Sequence, residues 1–595
     1  MRISTRRGVR RLVLLMALAL LVLSGCTRIP TSGTVESAEG PTKVPEVSVE
    51  VAPEPPTPGA SPRMVVEGYL QAMANYQQGY GVARLYLSSA VRESWRPETG
   101  VTVYEDGYGV SATPEVATLE APLVGTIEAD GSFRHRTDPL IHDFHLVRDT
   151  DGEWRIGNPP EGLLISRYLF DKFYASVNLW FFDPSWTTMV PDPVLVPTGN
   201  RTPTALLQGL LRGPTDWLSP VVVSAIPSQT RLNVQSAYAD ADGVVEVSLS
   251  ESVAALADEQ RSRMAAQVVW TLGQLDGVSG VRFHMNGAPY AIPEANEGVV
   301  DIRAFEWLDR TPAGGRPPAV FGATEAGLVT MAEGAGNTEI QPVAGPMGEL
   351  AGVTSFDVAP GRDRVAVVTD HGHALRLGAL TDSPPEVLSA RGLLRPQFVQ
   401  SQTSEVWTIG DLDPPAEPGA VASQTVVRIA PDRTDHLALP VMESRVLAFR
   451  LSPDGTRMAL IRTTPEGRRE LGVARVNRSL PDIVLDGWRP VPLGDANDPG
   501  PTLVVDVGWL DPTTLIVLAG AGDRQPVKPY RVGVYATSVT EIGQPDNWQA
   551  ETVATAPRTG GGRALVQGRN GIWRYEDDYR WPLAGKGLIA VAYAS

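Results

Sequence analysis

Reactive side chains are sparse in this sequence. Among 595 residues there are one cysteine and seven histidines. His135, His142 and His145 lie near Asp138 and Asp143, residue types that hold divalent metals through imidazole nitrogen and carboxylate oxygen. His142 and His145 sit three positions apart on a segment that reads as a strand, so they point to opposite faces. Exposed strand histidines are the simpler reading. His371 and His373 could share a face, but they bracket Gly372 in a turn-like stretch. Pro453-Asp454-Gly455 has the start of a calcium loop without its later carboxylates and terminal glutamate, and it reads as a turn. No Gly-x-Ser-x-Gly elbow and no Walker loop occurs. Trp180, Trp186, Trp217, Trp270, Trp307, Trp407, Trp509, Trp573 and Trp581 could line a sugar site; core or blade anchors are the plainer reading. These patterns assign no catalytic residue, metal ligand or cofactor, and the expectation is a non-enzyme.

The remaining reactive group is the thiol of Cys26. Five arginines (Arg2, Arg6, Arg7, Arg10, Arg11) precede an apolar run from Leu12 to Leu23, and Ser24-Gly25 follow. This is the order of a secretory signal: basic start, short apolar stretch, small-residue cleavage site. About a dozen apolar residues are too few to cross a bilayer core of about 30 Å as a helix. Leu23-Ser24-Gly25-Cys26 resembles a bacterial lipobox. That resemblance implies cleavage between Gly25 and Cys26, S-diacylglycerol on the thiol and N-acylation of the new terminus. Two or three acyl chains anchor firmly where one does so marginally. The expected location is the outer face of the cell membrane.

Removing residues 1–25 takes away five arginines and no acid, moving the formal charge from −17 to −22. So acidic a chain argues against nucleic-acid binding, which rests on phosphate neutralisation, and against lying on anionic lipid. Residues 26–62 read as the lipidated cysteine and a Pro-rich tether without apolar periodicity. Fully extended, its roughly 36 residues reach at most about 120 Å.

The elements that follow imply a multidomain chain. Residues 63–165 read as an α+β domain. Met64, Val65, Gly68, Tyr69, Ala72, Met73 and Tyr76 form a helical face, and a second helix is expected over about 79–95. Strands follow at 101–104, 115–120, 123–128, 142–148 and 154–156. Two helices before such a meander resemble a cystatin-like or NTF2-like fold. Residues 166–310 read as an α/β unit: strands at 177–182 and 189–196, a helix at 203–211, paired strands at 231–238 and 244–249, a helix at about 252–275 and a strand at 278–285. Leu207-Gln-Gly-Leu-Leu-Arg-Gly-Pro214, Ile226-Pro227, Val245 to Ser250, Gln267-Val-Val-Trp-Thr-Leu272 and Val281-Arg-Phe283 resemble the GerMN domain, to which no catalysis is attributed.

Residues 316–595 are all-β by pattern. Ser355 to Val368 aligns without gaps to Ala448 to Ile461, each a strand, a Pro-Gly or Pro-Asp-Gly turn and a second strand. Weaker copies place Val365, Val406, Met458, Leu515 and Ile572 at one repeating position, about 41 to 57 residues apart, the range of propeller blades. About six blades result. Lipobox, tether, α+β domain, GerMN-like domain and propeller, in that order, resemble the actinobacterial LpqB lipoprotein family over nearly the whole chain. The resemblance implies a non-enzymatic partner of an MtrB-like sensor histidine kinase, bound through the kinase's extracellular domain, in a two-component system linked to the cell envelope. It supplies no contact residues. The competing reading is a cell-wall glycan-binding protein, or a glycan-active enzyme with a site at the propeller centre.

The lipobox generates the first prediction. Cys26→Ala should release the protein from membranes or leave it with an uncut signal peptide, as read by fractionation and gel mobility; a variant behaving like wild type in both would refute the anchor.

Overall fold

An apolar stripe starts the first core. In the computed structural model, helix Pro62–Ala74 buries Val65, Val66, Tyr69, Leu70 and Met73, a spacing that turns one face inward. The structure describes residues 53–594 apart from 75–77, 114–115, 200, 234–236, 310–317, 332–338, 402–403, 413–423, 442–443, 480–481, 496, 523–524, 536–537, 546–547 and 560. Met64, expected on the inner face, is exposed, because the stripe is centred on Val65, Val66 and Tyr69. Gly68 lies beneath Tyr86 so closely that a β-carbon there would stand 2.6 Å from the phenol oxygen. Tyr76 lies outside the described residues.

The second helix is much shorter than its pattern suggests. It covers Gly81–Leu85 and stops where strand pairing claims the backbone. Leu87 bridges Ile156 in parallel, and the Ser88 N–H donates to the Ile156 carbonyl at 2.9 Å. One strand, Ala117–Ile127, replaces the two expected over 115–128. It pairs with Val101–Tyr104, Val110–Ala112, Phe133–His135 and Pro139–Asp143. The single strand expected over 142–148 is instead two, Pro139–Asp143 and Leu146–Arg148, interrupted by His145 with φ 42°. Of the Pro-rich segment, residues 26–52 lie outside the described residues. Its described end is not free tether but touches the domain: Tyr86 donates its hydroxyl to the Glu54 carbonyl, and the Gly59 N–H donates to Glu153.

The α/β unit opens with the antiparallel pair Tyr174–Phe182 and Met189–Pro197. Helix Thr202–Arg212 follows. Strands Val244–Leu249 and Gly280–Met285 run parallel, joined by helix Asp258–Leu272, a crossover that such pairing requires. Phe181, Phe182, Leu206, Leu210, Val247, Val268 and Phe283 share its core. The strand expected over 231–238 makes only isolated bridges among the described residues, Leu232 to Leu249 and Ala239 to Val245.

The C-terminal part contains, among the described residues, six four-stranded antiparallel sheets. Five are sequential meanders. The sixth completes Val320–Ala323, Leu328–Met331 and Ile340–Pro342 with the last strand, Ala590–Tyr593, so the two ends of the propeller are sewn into one blade. Val365, Val406, Met458 and Leu515 all fall on second strands of their blades. Ile572 does not; it lies on a third strand, and Leu565 holds the equivalent second-strand place. The tight connection between Gly568 and Gly571 carries the same apolar alternation onto both strands, so pattern alone slips by one.

Candidate functional site

Two places gather polar side chains: the propeller axis and the junction of the three domains. At the axis, Asp357, Arg395, Arg450, Trp509 and Tyr593 line a cavity of about 40 Å³, with Asp506 behind Arg450. Arg450 meets both oxygens of Asp506, at 3.3 and 3.4 Å. Asp506 also accepts the N–H groups of Val507 and Val553, each at 2.9 Å. Arg395 donates to the Val553 carbonyl at 3.1 Å, and Trp509 donates to the Arg450 carbonyl at 3.0 Å. Asp357 accepts the Phe398 N–H at 2.8 Å. Burial pushes Asp357 up to about 6 against the pull of Arg395, and burial beside Arg450 lowers Arg395 to about 10. Each carboxylate here is occupied by backbone donors or arginine. The space has room for water rather than a sugar ring, since small-molecule pockets run to about 300–1,000 Å³.

The junction is built on Trp217, in the loop after helix Thr202–Arg212. Asp192 shapes that loop. It is fully buried and accepts both the backbone N–H and the hydroxyl of Thr215, at 2.6 and 3.0 Å. Burial lifts Asp192 to about 6, with the Thr215 hydrogen bonds and the Arg457 charge limiting the rise. Trp217 then projects onto the fourth blade, Arg445–Pro490. Its indole N–H donates to the Gly487 carbonyl at 2.6 Å, and its own carbonyl accepts Arg475 at 2.7 Å. Arg457, Arg475 and Arg489 lie 6.0, 5.8 and 5.3 Å from its ring centre, within cation–π range. Tyr535 of the next blade meets the ring edge-on at 6.1 Å.

Arg457 ties this cage to the turn. It is wholly buried, pairs with Asp454 at 3.3 Å and donates to the Pro191 carbonyl of the α/β unit. Asp454 also accepts the Ser452 hydroxyl and the Thr456 N–H, each at 2.8 Å. The first domain joins too. Asp130 accepts the Asp216 N–H at 3.1 Å, and Arg167 bridges Glu105 and Asp495 at 3.0 and 3.2 Å. A further buried ionic group lies in the propeller. Burial alone would raise Glu405, but hydrogen bonds from Arg428 and Arg478 outweigh it and hold the carboxyl at about 2.

The residues singled out by sequence are dispersed. Gly25 and Cys26 lie outside the described residues. His142 faces the Asn158 carbonyl at 3.0 Å and packs edge-on to Phe144, while His145 sits in the break between strands. His371 has φ 58°, and His373 lies 2.8 Å from the Asp370 carbonyl in the same turn. Among the described residues, no three potential metal ligands converge. Trp180, Trp407, Trp509, Trp573 and Trp581 are buried and Trp307 is exposed. Trp217 departs from the core-or-blade reading: it anchors one domain to another. A signal for this cage exists in the sequence. Nine arginines fall between 445 and 489 in a chain of net charge −17, far more than an exposed blade of an acidic protein requires.

Two predictions arise from the junction. Trp217→Ala should cost about 3–5 kcal/mol, the range for truncating a packed tryptophan, and uncouple the domains. Proteolysis after 309 should accelerate while the propeller's own unfolding changes less; unchanged cleavage would show that the cage does not hold the domains. The second concerns pH. Because the folded pKa of Asp192 lies above its unfolded value near 4, stabilisation by its protonated form is present below about pH 4 and lost as pH rises through about 6. Asp192→Asn should therefore gain on wild type by about 2 kcal/mol between pH 4 and 7, measured by denaturant unfolding. A pH-independent difference would contradict the raised pKa.

Comparison with known proteins covers all three folded parts. The family model for the N-terminal domain of lipoprotein LpqB matches residues 55–171, the sporulation and spore germination model matches 178–291, and the LpqB beta-propeller model matches 327–589. Lipoprotein LpqB of Cutibacterium acnes is 32% identical, with 99% of each chain covered. That of Thermobifida fusca is 28% identical, covering 96% of this chain and 97% of the relative. Among solved structures, the first GerMN domain of GerM from Bacillus subtilis is similar at 20% identity and TM-score 0.19, covering 21% of this chain and 95% of that one. TolB from Acinetobacter baumannii is similar at 13% identity and TM-score 0.31, covering 49% and 69%.

Proposed function

We propose that this chain, which belongs to the LpqB lipoprotein family, is a lipid-anchored accessory protein that binds the extracellular domain of an MtrB-like sensor histidine kinase and thereby tunes a two-component system. The observation that carries this reading is the propeller axis. Its cavity of about 40 Å³ is lined by Arg395, Arg450 and Asp357, and its carboxylates, with Asp506 behind Arg450, accept backbone N–H groups or arginine within the fold. That arrangement favours recognition by outer surfaces over turnover of a glycan at the centre. No helix of the described residues is long and apolar enough to cross a membrane; in this reading acyl chains on Cys26, added with cleavage behind Gly25, are the anchor.

Anchoring changes what the interface must supply. A folded body on a tether that ends where Glu54 meets the first domain, at most about 100 Å when extended, shares a thin layer with other membrane proteins, so effective concentration lets a weak contact suffice. The acidic chain, −17 overall, favours a basic patch on the partner and makes association salt-sensitive.

Calorimetry with the two purified extracellular parts tests the reading. Binding is expected in the micromolar range, about −8 kcal/mol, weakening as salt rises. Absence of binding at high concentration, together with tight binding or turnover of a cell-wall glycan, would overturn it in favour of the glycan reading.

A further inference from the structure

The three-domain junction leaves a cleft of about 290 Å³. Asp130 and Arg134 of the first domain, Asp216 and Trp217 of the second, and Trp488 and Arg489 of the fourth blade line it. Its size is near the lower end of ligand pockets, about 300–1,000 Å³, and domain junctions are where such pockets concentrate.

The Arg489 guanidinium on its wall carries an unsatisfied group. Nη1 of Arg489 is buried and has no hydrogen-bond partner. The guanidinium is fixed beside the rings of Trp217 and Tyr535, 5.3 and 5.0 Å from their centres. It cannot escape by losing its proton at neutral pH, and a buried donor without an acceptor is costly. The nearest carboxylate does not fill the role. One oxygen of Asp130 accepts the N–H and hydroxyl of Ser132 at 2.9 and 2.6 Å, and the other accepts the Asp216 N–H. Arg134 brings a second positive charge, spent among the described residues on a solvent-exposed pair with Glu128 at 3.5 Å, a class of contact worth little. Burial lowers the Arg489 pKa most, with Arg134 adding to it, while Tyr535, Asp130 and Asp192 act the other way. Asp216, exposed, brings a further carboxylate to the lining.

We propose that this cleft binds a small zwitterion, a free amino acid or the end of a short peptide, with its carboxylate on Arg489 and Arg134 and its amine toward Asp216. Two arginines and two aspartates disfavour a polyanion, which would meet Asp130 and Asp216. A ligand here would touch all three domains at once and so stabilise their closed arrangement. The site is independent of the kinase reading, and each can fail without the other.

Full-length protein in detergent micelles, titrated while tryptophan fluorescence and thermal unfolding are followed, tests this. Alanyl-alanine is expected to bind saturably and raise the unfolding temperature. Its C-terminal amide should bind at least roughly tenfold more weakly, since a site built for a hydrogen-bonding group rejects the analogue lacking it. Arg489→Met should abolish binding. Arg134→Gln, an exposed change expected to leave the unfolding temperature of the free protein unaltered, should weaken binding severalfold. The proposal is overturned if the dipeptide does not bind, if dipeptide and amide bind alike, if inorganic phosphate binds as tightly as the dipeptide, or if Arg134→Gln binds like wild type.

Discussion

The fold of this protein as a three-domain body depends on a tryptophan held in an arginine cage. Trp217 leaves one domain and is received by Arg457, Arg475 and Arg489 of another. Each cation–π contact contributes about 0.5–2 kcal/mol, more where water is excluded. The hydrogen bonds to Gly487 and from Arg475 fix the ring's register. Behind the ring, Arg457 is fully buried and engages Asp454 and the Pro191 carbonyl. Breaking a buried pair by removing one partner costs about 3–5 kcal/mol, so the cage tolerates little change on either side.

The same device recurs through the propeller. Arg450 with Asp506 at the axis, and Glu405 with Arg428 and Arg478 between strands, bury charge in matched groups. Buried ion pairs contribute little net stability against an apolar alternative. Their geometry is instead directional: each arginine reaches from one strand or blade to another, so blade register is specified where apolar alternation alone would allow slips. The chain as a whole remains acidic, with a formal charge of −17. That bears on partner choice, because a negative outer field selects basic surfaces and suppresses others.

The placement of these networks also separates two kinds of polar site. At the axis every carboxylate is answered by a backbone N–H or an arginine, and the remaining space is small. At the junction the carboxylate of Asp130 is answered but Arg489 is not. The first arrangement closes a propeller; the second leaves an unmet donor at a place where three domains converge.

Much of the architecture was legible in residue order. The gapless match of Ser355–Val368 to Ala448–Ile461 identified the blade repeat because a β-hairpin core needs period-two apolar positions around a Gly turn. The helix expected over 203–211 falls on Thr202–Arg212. Failures occurred where a distant partner overrode a local pattern. Leu87 pairs with Ile156 and ends a helix that periodicity would continue to residue 95; His145 breaks a strand that the sequence runs through; Ile572 sits one strand from its expected place. The cage illustrates the same limit at the site. Trp217 and the arginines of 445–489 are plain in the sequence, but the tryptophan is some 240 residues and one domain away from Arg457. Cation–π, ion-pair and burial terms act over a few ångströms in space, and only the tertiary structure brings those residues within that range.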